Sequence, residues 1–158
     1  MDNLHDNNAQ NLKSLGGGKT DYPQTYAPQV LESFDNKYPD TKYVVELDCT
    51  EFTALCPKTQ QPDFAKIKVR YSPDTKLVGS KSMKLYLFSF RNHGSFHENV
   101  VNMIARDLFE LLKPHWIEVQ GYFMPRGGIS INPFVRLEHR KSENEALMEA
   151  IQRDGVGD

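Results

Sequence analysis

The chain carries two cysteines, Cys49 and Cys56, and the second stands in a setting suited to chemistry: Leu55-Cys56-Pro57-Lys58-Thr59, followed by Gln61-Pro62-Asp63-Phe64. Two prolines stiffen this stretch and remove backbone donors, so Cys56 and Asp63 are held in fixed relation on a connection between strands. One reading is a nucleophile with a nearby acid, in which Lys58 supplies positive potential that lowers the thiol pKa from about 8.5. The other is a small buried cysteine and an aspartate that forms a turn after proline.

Three further groups of residues suit binding. Ser95-Phe96-His97-Glu98 fits a capping box at the start of a helix. It equally fits a site in which Glu98 accepts paired N–H donors from a heterocycle while His97 donates, accepts or shuttles a proton. Gly79-Ser80-Lys81-Ser82-Met83-Lys84 opens another helix, where free backbone amides favour anions and Lys81 and Lys84 share a face. That is either a phosphate site or a solvated basic face with Ser80 as its cap. Arg126-Gly127-Gly128 reads as a hairpin turn that presents an arginine able to face phosphate.

Two other motifs carry less. His93 and His97 have the H-x3-H spacing of zinc ligands, but six residues separate Cys49 from Cys56, where zinc ribbons and fingers use about two to four. No metal is therefore expected. Gly18-Lys19-Thr20 mimics the end of a P-loop, yet position 13 is Lys13 where that motif needs glycine.

The elements that must position these residues follow from periodicity. From Lys42 onward Tyr43, Val45 and Leu47 alternate with Val44, Glu46 and Asp48, the pattern of a strand. In the stretch from Ala65 to Tyr71, Ile67, Val69 and Tyr71 share one face while Lys66, Lys68 and Arg70 share the other, so one side of the sheet is wet. Ser80 to Asn92 and Ser95 to Lys113 read as helices; in the second, Val100, Ile104, Leu108 and Leu111 repeat at helical spacing, and Pro114 ends the run. Trp116 to Phe123 and Ile129 to Leu137 alternate again about the turn at Pro125-Arg126-Gly127-Gly128. The sum is an α+β domain, a four-stranded antiparallel sheet with two helices on one face in the order ββααββ. Such a sheet leaves a face and two edges in need of cover, and self-association is the natural remedy.

Composition bounds the rest. The 158 residues hold 19 Lys+Arg against 21 Asp+Glu, a formal charge of -2, with 39% hydrophobic and 25% charged residues. That is ordinary globular usage for one domain large enough to need no disulfide staples. A near-neutral balance argues against a protein built to neutralise a nucleic-acid backbone. With no long apolar run and no secretory start, no membrane partner is expected, and the cytoplasm with reduced cysteines follows. Residues 1–21, Asn-rich and closed by Gly16-Gly17-Gly18, read as a flexible arm; residues 22–140 read as the folded domain. Residues 141–158 read as a charged tail with a short helix from Glu143 to Arg153.

Taken together these segments resemble the NADPH-dependent 7-cyano-7-deazaguanine reductases, the QueF family, in its short single-domain form. The resemblance runs through Tyr26-Ala27-Pro28, Val30-Leu31-Glu32-Ser33-Phe34, Glu51-Phe52-Thr53, the Cys56 and Asp63 motifs, and Lys81-Ser82-Met83-Lys84-Leu85-Tyr86. It continues through Phe88-Ser89-Phe90-Arg91-Asn92-His93-Gly94, Phe96-His97-Glu98 and Pro125-Arg126-Gly127-Gly128-Ile129-Ser130-Ile131. It implies the tunnelling fold, assembled as a toroidal homo-oligomer, a decamer, with active sites between subunits. It implies that Cys56 adds to the nitrile carbon to give a thioimide and that Asp63 supplies the proton to nitrogen. For that role Asp63 must hold a proton near neutral pH, which asks for burial or a neighbouring negative charge. By the same resemblance the substrate, 7-cyano-7-deazaguanine, is held by His97 and Glu98 with Val78, Gly79 and Ser80. NADPH, the cofactor, lies near Ser80, Lys81, Lys84, Arg126 and Gly127.

The family motif begins with glutamate directly before Ser80-Lys81, and here that position is Gly79. A carboxylate lining the substrate pocket is thus missing. Two other readings of the chain follow: a thioimide-forming synthase that attaches ammonia to give an amidine on RNA, and a non-catalytic purine- or pterin-binding module. Retained Lys81, Ser82 and Lys84 argue against the first.

Overall fold

A computed structural model describes residues 20–139 and 143–154. The arm expected over residues 1–21 lies outside the described residues apart from its last two positions. The elements are β1 (Ser33–Asp35), β2 (Val45–Leu55), β3 (Pro62–Ser72), β4 (Lys76–Val78), α1 (Ser80–Phe88), α2 (His97–Leu112), β5 (Trp116–Phe123), β6 (Phe134–Glu138) and α3 (Glu143–Asp154). β2, β3, β5 and β6 form one antiparallel sheet in that order, and β1 pairs with β4 in a separate two-stranded ladder. The expected four strands and two helices are present. The short β1–β4 ladder, too brief to show a period in the sequence, is additional.

Both helices are shorter than their periodicity suggested. α1 ends at Phe88, and residues 89–92 continue as tight turns, with the Phe90 N–H donating to the Leu87 carbonyl and the Arg91 N–H to the Phe88 carbonyl. α2 ends where Lys113 adopts a left-handed conformation (φ 44°), its N–H bonded to the Phe109 carbonyl, directly before the proline that has no N–H to extend the helix. The last strand begins at Phe134 rather than Ile129, because Asn132 and Pro133 turn the chain: the Phe123 N–H donates to Asn132 Oδ1, and the Gly121 N–H to the Pro133 carbonyl.

The core lies between the sheet and α2. Ile67, Val69 and Tyr71 of β3 and Ile117 and Val119 of β5 alternate onto the face that meets Val100, Val101, Ile104 and Leu108 of α2, and all are buried. Each such side chain contributes roughly 1.5–3 kcal/mol by leaving water. The opposite face carries a row of charges in register across all four strands, Glu46, Arg70, Glu118 and Arg136, linked at 3.5, 3.4 and 2.5 Å. A one-residue slip of any strand would reverse this arrangement and bury the charges, so the row fixes register more than it adds stability.

The chain before β2 is sewn to the helices. The hydroxyls of Tyr26 and Tyr86 both donate to Asp107, and the Ala27 N–H donates to Ser89 Oγ at 3.1 Å. Burial, followed by the Asp107 carboxylate, pushes the Tyr26 and Tyr86 hydroxyls well above the ordinary phenol range, so both stay protonated donors.

β2 contains an irregularity on which the site depends. Its register with β3 runs without a break from Val45 to Cys49, then jumps so that Phe52 faces Ala65, leaving Thr50 and Glu51 opposite the single residue Lys66. Before this bulge the odd positions face the core; after it Phe52 and Ala54 do, at 3% and 1% exposure. Cys56 is in phase with Phe52 and Ala54. Without the bulge, strict alternation would carry it to the charged face.

Gly121 on β5 makes a close approach possible. A Cβ there would lie 2.8 Å from Val101 Cγ2 and 2.8 Å from Phe123 Cε2. Gly121→Ala is expected to cost about 1–3 kcal/mol through overpacking, read as a lowered thermal or denaturant midpoint. An unchanged midpoint would show that the strand and helix separate freely at this point.

Candidate active site

The end of the sheet where β2 turns into β3 gathers four polar side chains. The connection from Cys56 to Gln61 is a closed loop: the Cys56 N–H donates to the Gln61 carbonyl at 2.9 Å, and the Gln60 N–H donates back to the Cys56 carbonyl at 3.0 Å. Gln60 closes it in a left-handed conformation, φ 59°, which costs a non-glycine residue about 1 kcal/mol. Asp63 follows on β3, pairs in register with Ala54, and shares the inward phase of Ala65 and Ile67; it is 5% exposed.

The start of α2 is zipped to the same strand end. The Leu55 N–H donates to the His93 carbonyl at 3.0 Å and the Ser95 N–H to the Leu55 carbonyl at 3.1 Å. Ser95 is consequently buried and Phe96 occupies the cap position, with no side-chain cap bond. The capping box suggested by Ser95 and Glu98 is not formed. The zip instead delivers His97: its Nε2 lies 3.3 Å from Asp63 Oδ2, its ring stacks on Phe123 at 3.9 Å and 9°, and its Nδ1 is buried without a hydrogen-bond partner among the described residues.

Arg126 arrives from the β5–β6 connection. Gly127 and Gly128, at φ 56° and 77°, make a tight turn that suits glycine, and Arg126 and Ile129 exchange backbone hydrogen bonds across it. The Arg126 guanidinium Nη2 lies 2.6 Å from Asp63 Oδ1 and donates to the Pro62 carbonyl at 3.3 Å. Asp63 is thus buried, as a proton-donating role asks, but the charge beside it is positive.

The two cysteines differ sharply. The Thr59 hydroxyl, then the Thr59 and Lys58 backbone amides and, least, Arg126 lower the Cys56 thiol to about 7, against a small opposing effect of burial. A substantial thiolate fraction is therefore present at neutral pH. Burial, followed by the Asp48 charge, pushes Cys49 up to about 11, which favours the protonated thiol at neutral pH. Lysine potential from Lys58 was the sequence reading for Cys56; hydroxyl and amide hydrogen bonds do that work instead.

The remaining residues of interest sit around the N-terminus of α1. The Gly79 N–H donates to the Glu32 carbonyl at 2.9 Å and the Val78 N–H to Tyr71 Oη at 3.2 Å, which fixes the Val78-Gly79-Ser80 segment. Gly79 has φ −70°, a conformation open to any residue. Between α1 and β2 lies a cavity of about 460 Å³ lined by Ser80, Lys84, Arg91, Cys49, Glu51 and Thr53 among others. It does not include Cys56, Asp63 or His97. Lys81 and Lys84 are exposed and have no carboxylate partner among the described residues; Glu98 is exposed. No three His, Cys, Asp or Glu side chains cluster to hold a metal ion, and no helix is long and apolar enough to cross a membrane, among the described residues.

Sequence reasoning missed Thr59, Phe123 and Arg91. For Thr59 a signal existed: a hydroxyl three residues after the cysteine in a proline-containing turn is placed to bond back to the residue that opens the turn.

Comparison with known proteins places the chain. Residues 62–142 match the family model described as QueF-like protein. A relative from Bacteroides fragilis is 63% identical over 140 residues, spanning 89% of this chain and 91% of that protein. One from Neisseria gonorrhoeae is 57% identical over 138 residues, 87% and 88% of the two chains, and one from Bacteroides thetaiotaomicron is 57% identical over 136 residues, 86% and 90%. All three are named NADPH-dependent 7-cyano-7-deazaguanine reductase. The crystal structure of the archaeosine synthase QueF-Like in its apo form shares the fold, with a TM-score of 0.57 at 17% identity over 62% of this chain and 96% of that one.

Proposed function

The chain belongs to the QueF-like family, and we propose that it catalyses the reaction for which its relatives are named, the NADPH-dependent reduction of the nitrile of 7-cyano-7-deazaguanine to 7-aminomethyl-7-deazaguanine, a step of queuosine biosynthesis. The observation that carries this reading is geometric: the strand that follows the Cys56 loop buries Asp63 with an imidazole at 3.3 Å and a guanidinium at 2.6 Å.

The chemistry follows from what each residue can do. A nitrile is a poor hydride acceptor; addition of the Cys56 thiolate to its carbon gives a thioimide that accepts hydride more readily. Asp63, through His97 or directly, supplies the proton to the nitrile nitrogen as the C–S bond forms. Expulsion of the Cys56 thiolate between two reductive steps completes the four-electron change from nitrile to amine. Bound NADPH supplies the hydrides.

The residues around α1 suit that cofactor. Lys81 and Lys84 are cations without counter-charges among the described residues, Ser80 begins a helix whose free amides favour anions, and the adjoining cavity of about 460 Å³ is of ligand size. Arg126 and Gly127 belong to the same proposed cofactor contacts, though in this chain Arg126 is engaged by Asp63. His97, Glu98, Val78, Gly79 and Ser80 are the proposed substrate contacts. The separation of the α1 cavity from Cys56 supports sites completed between subunits of a homo-oligomer, for which the outer edges of β6 and of β2 before its Leu55 end, facing no further strand among the described residues, are suited. A decameric torus in the cytoplasm is the assembly we propose.

The test is NADPH consumption, followed by absorbance, with 7-cyano-7-deazaguanine as substrate. Two NADPH oxidised per nitrile are expected. No consumption, with Cys56 nevertheless gaining the mass of the nitrile, would overturn the reductase in favour of a synthase, and no adduct would favour a binding module.

Gly79 gives a sharper prediction. A Cβ at this position meets the Glu32 carbonyl and Ser82 Oγ at 3.4 Å, ordinary contact, so Gly79→Glu is compatible with the fold. Restoring a carboxylate that accepts donors from the deazaguanine is expected to lower KM by about tenfold, one charge-assisted hydrogen bond. An unchanged KM would show that position 79 does not touch the substrate.

A further inference from the structure

We infer that Phe123 is a positioning residue of this site: its ring is the platform that sets the plane of the His97 imidazole and so keeps Nε2 on Asp63. The inference rests on the proposed reduction, in which Asp63, through His97 or directly, supplies the proton to nitrogen. It adds a buried residue that acts through another side chain.

Two observations point the same way. A histidine that works on protons is ordinarily oriented through its second ring nitrogen, by a carboxylate, a carbonyl or water. His97 lacks that restraint, since Nδ1 is buried without a hydrogen-bond partner among the described residues. Its other polar contact, from Nε2 to Asp63 Oδ2, is 3.3 Å long, where a charge-assisted hydrogen bond measures about 2.7–2.9 Å. Polar contacts therefore leave the ring loosely held. What holds it is flat: the imidazole and the Phe123 ring lie 3.9 Å apart at 9°. The stack sets the plane of the imidazole, and the Asp63 contact selects which edge of it faces the acid.

The platform is itself fixed. Phe123 closes β5 in phase with Ile117 and Val119, and it is 4% exposed. Its N–H donates to Asn132 Oδ1 at 3.1 Å, and its strand pairs it with Ala65 of β3. The ring edge carrying Cδ2 and Cε2 fills the space that a side chain at Gly121 would take, 3.3 and 2.8 Å from a Cβ placed there. Phe52 meets the ring at 6.3 Å and 84°. Backbone pairing, the glycine gap and this edge contact leave the phenyl ring little room to tilt. His97, by contrast, is the first residue of α2, reached through a cap that makes no side-chain bond. A strand end inside the sheet thereby steadies a side chain at the first position of a helix.

The experiment compares Phe123→Leu, which stays apolar but has no flat face, with Phe123→Tyr, which keeps the flat face. The first readout needs neither nitrile nor NADPH: labelling of the imidazoles of the full-length protein by diethyl pyrocarbonate, followed by the mass of the peptide of residues 92–106. That peptide holds His93 and His97, which fragmentation separates. His93 packs on Tyr26 and Phe90 and serves as the internal standard. Relative to His93, His97 is expected to label severalfold faster in Phe123→Leu and at the natural rate in Phe123→Tyr. The second readout is turnover. Phe123→Leu is expected to lower kcat by about 10–100-fold, the loss that follows from a misplaced reacting group, while KM moves less. In a His97→Gln background the same substitution is expected to change kcat little, because the ring it positions is gone.

Equal labelling of His97 in the leucine and natural proteins would overturn the inference. So would a loss of kcat that persists in full in the His97→Gln background, which would mark a packing effect rather than action through the imidazole, or a tyrosine variant labelled as fast as the leucine one. If the labelling follows expectation while the natural protein oxidises no NADPH, the platform stands and the reductase reading falls. Should the leucine variant fail to fold, Phe123→Met, unbranched and adaptable in a core, takes its place.

Discussion

Cys56→Ala is expected to abolish nitrile reduction, with turnover falling by roughly 10⁴-fold or more, because without the thiolate no covalent intermediate forms and hydride must attack a bare nitrile. The effect is chemical rather than structural. Cys56 is partly exposed at a strand end, its backbone bonds to Gln61 and Gln60 do not involve the side chain, and alanine leaves no sizeable internal cavity. The variant should therefore unfold at the natural midpoint. Intact mass separates the causes: the natural protein incubated with nitrile alone gains one nitrile mass on the Cys56 peptide, and the alanine variant gains none. Cys49, pushed up to about 11, should remain unmodified in both. Residual turnover in Cys56→Ala within tenfold of the natural protein would remove covalent catalysis from the mechanism.

Asp63→Asn is expected to lower kcat by roughly 10²–10⁴-fold, the usual loss when a positioned proton donor is removed. Asparagine fits the same buried position and leaves the Arg126 and His97 side chains in place, but it cannot hand over a proton. Its amide also ends the ion pair at 2.6 Å with Arg126 and the contact at 3.3 Å with His97 Nε2. Because Arg126 is partly exposed, its charge finds water instead, and stability should change little. The readout that separates catalysis from structure pairs turnover with the unfolding midpoint: kcat should fall while the midpoint stays near the natural value. An Asp63→Asn protein that reduces the nitrile at full rate across neutral pH would sink the assignment.

The two predictions meet at a point that the geometry raises. Asp63, the proposed proton donor, lies between a guanidinium and an imidazole. His97 is fixed by the stack on Phe123, whose own position is set by the close packing that Gly121 permits. The Gly121→Ala variant should therefore disturb the site as well as the core, since the ring that must yield to the new methyl group is the one that supports His97.

Which of these features could be read from the chain depends on how local their causes are. Alternation over Ala65 to Tyr71 placed Ile67, Val69 and Tyr71 against the core because side-chain direction along a strand is a local, two-residue property. The apolar repeat of Val100, Ile104 and Leu108 identified the buried face of α2 for the same reason, with a longer period. The motifs around Cys56, Asp63, His97 and Arg126 were legible as candidates, since their residue types and the rigidity of the prolines lie in the sequence itself. The reaction came from the resemblance of those motifs to a family, which relatives up to 63% identical bear out.

Other features needed the folded chain. The bulge at Thr50 and Glu51 is a mismatch in length between two strands, invisible in either one, and it decides that Cys56 shares the phase of Phe52 and Ala54. The capping box at Ser95 failed because the neighbouring strand end offered backbone partners to His93 and Ser95 that a local rule does not count. Arg126 read as a phosphate ligand from its turn, and only the β5–β6 connection folding over the Cys56 loop brought it onto Asp63. The sequence by itself determined the inventory of elements and the residue types able to do the chemistry, because those rest on local periodicity and composition. The tertiary structure alone decided which thiol is activated and what surrounds the acid, because hydrogen bonds and charges act over a few ångströms between residues that the chain order keeps apart.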